Sequence, residues 1–309
     1  MWYAKYVGKR NISMVVLFPS SYLNKHIVDS DFCDEYNTAQ EAEIETLLFD
    51  QELWDKHGEL ELLGEKNATG CVYRGWMMKP EQYKLFFDLC NSNGLHLINS
   101  PAEYNNCHIF KNGYSYVKDD APKTLFFESV EDVVQNLDTI NSKMSRFMVK
   151  DYVKSVKGTD FPKYFEKPNR KFFEEWMVRF LKYRGNLLTG GIQIKEYLDL
   201  KMYDDCPNEY RVFYSNNIPI TISRNSNQPA FTTELPISIV EKYKNLPSKL
   251  YTVDFIECSD GSFKVIETGD GGVSGLSPDQ NYYSFYRKLK ISQNSEYSNN
   301  QEKEIDDYE

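Results

Sequence analysis

The chain has 309 residues, 41% of them hydrophobic, and a formal net charge of −10. That length buries one large core or two smaller ones, and the acidic balance argues against partners held by a nucleic-acid phosphate backbone. No apolar run reaches the ~20 residues that span a bilayer, and the run 14–18 is too short for a signal-peptide core, so no membrane partner is expected.

In chain order, 14–18 (MVVLF) reads as a buried strand. Residues 39–50 read as a helix, with Ala42, Leu47 and Leu48 set among acids. A second strand is expected over 70–73, a helix over 80–91 with Pro80 near its start, and a short strand over 95–98. This alternation predicts a small α/β layer for residues 1–120. Beyond Ala121-Pro122 the pattern changes. Residues 125–127 form a short strand, 130–140 an amphipathic helix behind the N-cap Ser129, and 146–150 (RFMVK) a strand ending on Lys150. A polar loop, 151–158, carries Lys154 and Lys157. A helix over 172–183 and an alternating strand over 191–200 (GIQIKEYLDL) follow. Residues 209–214 and 218–224 flank Ser215-Asn216-Asn217 as a hairpin, and 250–257 and 262–267 flank Ser259-Asp260-Gly261 as another. The tail 292–309, with six acids against one lysine, holds half of the net charge and is expected to be disordered.

The six cysteines, Cys33, Cys71, Cys90, Cys107, Cys206 and Cys258, form no C-x-x-C pair and read as reduced thiols of a cytoplasmic protein. His26, His57, His96 and His108 form no spaced cluster. No G-x-S-x-G, Walker-type glycine loop or G-x-G-x-x-G is present. The carboxylates are more informative. Asp254 sits inside the apolar run YTVDFI, and Glu267 ends the strand that a hairpin at Ser259-Asp260-Gly261 would lay beside it. Two close carboxylates repel unless a cation lies between them, and a hard cation such as Mg²⁺ suits them; otherwise they are two unrelated surface acids. Lys150, Lys154 and Lys157 suit polyphosphate, although charged loops are usually only solvated. Arg211 and Arg224 lie on adjacent strands, placed to clamp phosphate or carboxylate oxygens, or to pair with glutamates across the hairpin.

The order of these features carries more than each piece. RFMVKDYVKS, EYRVF and IETGDGGVSGL, with GIQIKEYLDL between the first two, resemble the ATP-grasp superfamily over residues 121–291. The likeness is to the clade described by two arginines and a lysine. It implies an α+β ATP-grasp fold behind a small N-terminal α/β (pre-ATP-grasp) domain, with ATP and Mg²⁺ as cofactors. Lys150 then looks like the lysine at the α- and β-phosphates. Lys154 or Lys157 lies on the matching loop, and Gly158 favours Lys157. Glu196, Tyr197 and Leu198 match the linker at the adenine edge, and Glu209 the acid on the ribose. Asp254 and Glu267 match the metal ligands. Where the superfamily usually has Asn, two residues after that Glu, this chain has Gly269 and then Asp270, which replaces it as a ligand. Arg211 and Arg224 match the arginines that stabilise the transferring phosphoryl group. The superfamily's other early lysine has its only match in Lys111. Arg74, before Gly75-Trp76, is either a substrate residue of the N-terminal domain or a surface arginine. The resemblance implies a carboxylate–amine ligase for a small-molecule or peptide substrate. An ATP-binding assembly chaperone and an ATP-grasp kinase are the competing readings.

Overall fold

The computed structural model describes residues 14–225 and 228–293. They fall into two compact units, one formed by residues up to 101 together with those from 281, the other by 102–280. The boundary expected at 120 therefore lies earlier, and the chain returns to its first unit at the end.

The first unit opens with β1 (Met14–Pro19), then α1 (Cys33–Glu41), β2 (Glu45–Phe49), α2 (Gln51–His57), β3 (Leu62–Leu63), β4 (Gly70–Tyr73), α3 (Pro80–Ser92) and β5 (His96–Leu97). The sheet order is β3-β2-β1-β4-β5, with β1 parallel to both β2 and β4. Every residue of β1 is buried, as a central parallel strand requires. The helix expected over 39–50 is a helix end and a strand. Glu43 takes a positive φ of 56°, and Glu45–Phe49 pairs with β1 from Val15↔Glu45 onward. Leu47, Leu48 and Phe49 are buried, so parallel pairing overrides the helical spacing. A helix over 282–293, α10, completes this unit with Phe285, Tyr286 and Leu289 fully buried. It runs into the expected tail: Ser292 is buried and its hydroxyl donates to the Leu289 carbonyl. The remainder of that tail lies outside the described residues.

The second unit begins with α4 (Pro101–His108), whose first residue is the last of the first unit, and α5 (Phe110–Val117). It continues through β6 (Thr124–Phe127), α6 (Val130–Gln135), α7 (Leu137–Lys143), β7 (Arg146–Asp151), β8 (Phe165–Glu166), α8 (Arg170–Arg184), β9 (Ile192–Glu196), β10 (Met202–Tyr203), β11 (Cys206–Pro207), β12 (Glu209–Ser215), β13 (Ile218–Arg224), α9 (Ile237–Lys242), β14 (Leu250–Glu257) and β15 (Phe263–Asp270). The single helix expected over 130–140 is broken at Asn136, where φ is −93° and ψ is 11°.

Two four-stranded antiparallel sheets make the frame, in the orders β6-β9-β7-β8 and β13-β12-β14-β15. The first packs Phe147, Val149, Ile192 and Ile194 against Val133, Phe173 and Met177 of its helices. The second packs Tyr210, Val212, Val253 and Phe255 with Cys107, Phe110, Val117 and Val240. Residues 102–120 thus belong here, because their apolar faces are covered by the second sheet. Alternation leaves Lys150, Gln193 and Lys195 on the uncovered face of one sheet, and Glu209, Arg211 and Asp254 on that of the other.

Among the described residues no helix is long and apolar enough to cross a membrane. All six cysteines are free.

Candidate functional site

Strand register builds one wall of the site. Arg211 of β12 lies opposite Asp254 of β14, and Asp254 lies opposite Glu267 of β15. A charged row therefore crosses three strands. Arg211 Nε and Nη2 donate to the two Asp254 oxygens at 2.8 and 2.6 Å, and its Nη1 donates to the Gly275 carbonyl at 3.1 Å. The expected Asp254–Glu267 neighbourhood is present, with Arg211 holding Asp254.

Facing them, Lys150 Nζ sits 3.5 Å from Glu267 Oε2. Burial alone would raise the Glu267 pKa, but Lys150, Lys154, Lys195 and Arg211 hold it down to about 2. Lys195 is 3% exposed, and its ammonium donates to the Ile266 carbonyl. Burial first, and Lys150 second, push its pKa well below the ordinary lysine value, against the pull of Glu267 and Asp254.

A cavity of about 240 Å³ lies among these groups. Lys150, Lys154, Lys157, Glu196, Tyr197, Leu198, Glu209 and Glu267 all line it, so eight of the residues singled out from sequence converge. Pro122, Met148, Leu198, Leu200, Ile256 and Ile266 supply apolar surface, and the lysines and carboxylates the charge. Among the described residues, neither Lys154 nor Lys157 is in an ion pair. Backbone bonds from Glu196 N to Lys123 O (2.9 Å) and from Tyr197 N to Arg146 O (3.0 Å) set the linker. Glu209 also borders a smaller cavity of about 190 Å³ with Arg211, Arg224, Asn225, Asp254 and Ser277. Burial, then Asp254, raises the Glu209 pKa, while Asn225 donates to its carboxylate at 3.1 Å.

Other expected residues stand elsewhere. Regular pairing from Asp254↔Glu267 to Tyr251↔Asp270 puts Asp270 opposite Tyr251 of the core, on the other face of β15 from Glu267, rather than in the charged row. Asp270 is 1% exposed, and its Oδ1 accepts from Gly272 N at 2.8 Å. Among the described residues, no three carboxylate, imidazole or thiol side chains converge into a metal-sized cluster. The protein-derived acids at the row are therefore Asp254 and Glu267, without Asp270. Arg224 is opposite Tyr210, one step off the Arg211 face. Its guanidinium stands 5.6 Å from the Tyr210 ring, and its Nε donates to Thr232. It still borders the smaller cavity, and among the described residues it has no carboxylate partner. Lys111 pairs with Glu128 and does not line the larger cavity. A fourth lysine that lines it beside Lys150, Lys154 and Lys157 is Lys195, which sequence reasoning missed. Its signal was a charged residue directly after the core residue Ile194, on the same strand face as Gln193. Arg74 is 1% exposed, with Nε and Nη2 on Glu35 at 2.8 and 2.7 Å. That burial turns its donors toward the interior of the first unit rather than toward a surface ligand.

Residues 126–289 match the model of an ATP-grasp domain, the third family of the clade named for two arginines and a lysine. The chain belongs to this family. The match covers nearly all of the span expected from sequence. Among solved structures, this ATP-grasp chain is similar to an ATP-grasp RimK domain protein from Sphaerobacter thermophilus. The TM-score is 0.60 at 12% identity, covering 91% of this chain and 99% of that one. It is also similar to the ATP-grasp ligase PsnB in complex with a minimal precursor, Mg and ADP (0.57, 12%, 92% and 99%). D-cycloserine synthetase DcsG gives 0.57 at 13% identity, covering 90% and 99%. At such identities the likeness is one of fold. No curated protein matches the chain.

Proposed function

We propose that this ATP-grasp chain is an ATP- and Mg²⁺-dependent carboxylate–amine ligase acting on a small-molecule or peptide substrate. The observation that carries the reading is the row Arg211–Asp254–Glu267, whose Glu267 meets Lys150 and lines, with Lys150 and Lys195, a cavity that also offers apolar surface. The base fits the apolar part beside the linker Glu196, Tyr197 and Leu198. Glu209, with its raised pKa and its place at the junction of both cavities, suits the ribose hydroxyls. Lys150, Lys154, Lys157 and Lys195 take the phosphates.

Asp254 and Glu267 suit a hard cation, which phosphate oxygens and water would share; bound there, Mg²⁺ neutralises phosphate charge. Phosphoryl transfer asks chiefly for positioning and charge neutralisation, and these side chains supply both. A substrate carboxylate oxygen attacks the γ-phosphorus, the bond to the β-phosphate bridging oxygen breaks, and ADP leaves. An amine then attacks the acyl carbon, expels phosphate and loses a proton. Arg211, and Arg224 from the smaller cavity, stabilise the charge that develops on the transferred group. The six free cysteines support a cytoplasmic setting.

The test is ADP release with MgATP across a panel of amino acids and short peptides, with hydroxylamine added to trap an acyl hydroxamate. A substrate-dependent hydroxamate is the expected result, lost in Glu267→Gln. MgATP binding without ADP release across the panel would replace the ligase reading with a nucleotide-binding assembly role.

A further inference from the structure

The carboxylate packed most tightly beside the cavity has no place in the chemistry above. Asp151 follows Lys150 directly and is fully buried. Its Oδ1 accepts from the backbone N–H groups of Val153 and Lys154 at 2.7 and 2.5 Å. Its Oδ2 accepts from Arg184 Nε at 2.8 Å and Thr189 N at 3.3 Å, with Arg184 Nη2 at 2.6 Å. Arg184 ends α8 and is fastened in turn to the Leu187 carbonyl at 2.8 Å. One side chain thus joins the end of α8, the segment before β9 and the start of the basic loop.

The loop folds back around this carboxylate. Asp151 N donates to Lys154 O at 3.0 Å, and Ser155 pairs with Lys150 as an isolated bridge. Lys150 and Lys154 are thereby returned to the same cavity wall. Tyr152 lies on Gly190 and Gly191, where an added Cβ would stand 2.4 and 2.7 Å from its ring and hydroxyl. The loop is therefore fixed at its root, while Lys154 and Lys157 are exposed toward its tip.

We propose that Asp151 and Arg184 are positioning residues for phosphate recognition: they set the basic loop so that Lys154 meets the nucleotide phosphates beside Lys150. A buried ion pair adds little net stability once its desolvation is counted, so stability alone is a weak reason for this one. Oδ1 is given wholly to amides of the loop, one of them that of Lys154. This inference rests on the nucleotide-binding part of the reading above and deepens it.

The experiment measures MgATP and AMP affinity by calorimetry, and melting temperature, for the wild-type chain, Asp151→Asn, Lys154→Met and the double variant. Partners one step behind a ligand typically cost about 10–100-fold when removed, and Asp151→Asn is expected to weaken MgATP within that range. AMP, which lacks the phosphates the loop would hold, should bind unchanged. In the Lys154→Met background the same substitution should cost clearly less, because the charge it positions is gone. Arg184→Gln should repeat the pattern and Arg184→Lys restore part of it; if Asp151→Asn does not fold, this pair decides. Unchanged MgATP affinity, equal losses for ATP and AMP, or additive effects of Asp151 and Lys154 would overturn the proposal. A wild-type chain that binds no MgATP would instead sink the nucleotide reading beneath it, so the two failures are told apart.

Discussion

Arg211 and Lys150 carry the same charge into one site and are placed for different work. Arg211 is held in line by both Asp254 oxygens and the Gly275 carbonyl, a rigid fork ready for charge that develops during transfer. Lys150 stands 3.5 Å from Glu267 on the opposite sheet, and the proposed role sets it against phosphates that are charged before reaction begins. Removing a donor aimed at developing charge typically costs about 10²–10³ in rate, so Arg211→Met should lower kcat on that scale and ATP affinity much less. Lys150→Met should weaken ATP binding first. Steady-state kinetics with nucleotide Kd values separates them, and equal affinity losses with kcat intact would make Arg211 an ordinary phosphate binder. His108 permits a separate test by pH. Burial, then Lys154, pushes its pKa down to about 4 against the pull of Glu267. The unfolded chain takes up this proton near pH 6.5 and the folded chain only near 4, so folding is favoured fully above 6.5 and progressively less below it. By the conversion of about 1.4 kcal/mol per pH unit, the loss between about pH 6.5 and 5 is about 2 kcal/mol. Glu267, with its depressed pKa, keeps its contribution until the pH falls below the ordinary carboxylate value and loses it toward 2. Urea unfolding of wild type and His108→Gln at about pH 7 and pH 5 isolates the histidine by difference: the variant should lose distinctly less stability between them than wild type.

Helix α10 shows what a single element contributes to the first unit. Tyr286 is fully buried, and its hydroxyl donates to Glu35 Oε2 at 2.7 Å, the carboxylate that Arg74 also holds. Tyr286→Phe removes the hydroxyl's bonds to the Glu35–Arg74 pair, and a bond to a charged group is worth about 1.5–3 kcal/mol. Tyr286→Ala also empties an aromatic site, at about 3–5 kcal/mol. Thermal melts should rank the variants in that order; if both melt as wild type does, α10 is not part of the first unit's core. This helix was not legible in sequence, because its apolar residues run directly into an acidic tail. The strands of the site were, because VKD, EYRVF, YTVDFI and VIET place charges within runs that otherwise bury. The misreading of β2 has a physical source: Leu47 and Leu48 among acids suit a helix until β1 demands a parallel neighbour. Asp270 takes the opposite face of β15 from Glu267 by simple alternation, and the bulge at Phe213/Tyr214 makes Arg224 the partner of Tyr210. Which face a strand residue takes depends on bulges and register, and one extra residue turns it over. Lys195 escaped notice because an ammonium on a buried strand face only makes sense once the opposing sheet is present.

At the scale of the whole molecule, every residue lining the larger cavity lies between 102 and 280, the span of the second unit. That unit carries buried cores of its own. Residues 102–280 expressed alone should therefore melt cooperatively and bind MgATP; calorimetry checks both, and a broad, non-cooperative melt would show that the unit needs the first for its fold. The first unit differs in kind, since its sheet precedes residue 102 and its last helix follows residue 280. During synthesis this order matters. The five strands of the first sheet leave the ribosome early, with Glu35 and Arg74 still without Tyr286. At about 5–20 residues per second, they wait roughly 10–40 s while the intervening unit is made. The nucleotide-binding unit is thus complete before the first unit, and Glu35 and Arg74 lack their Tyr286 partner for that whole interval, the period in which a chaperone has most to protect.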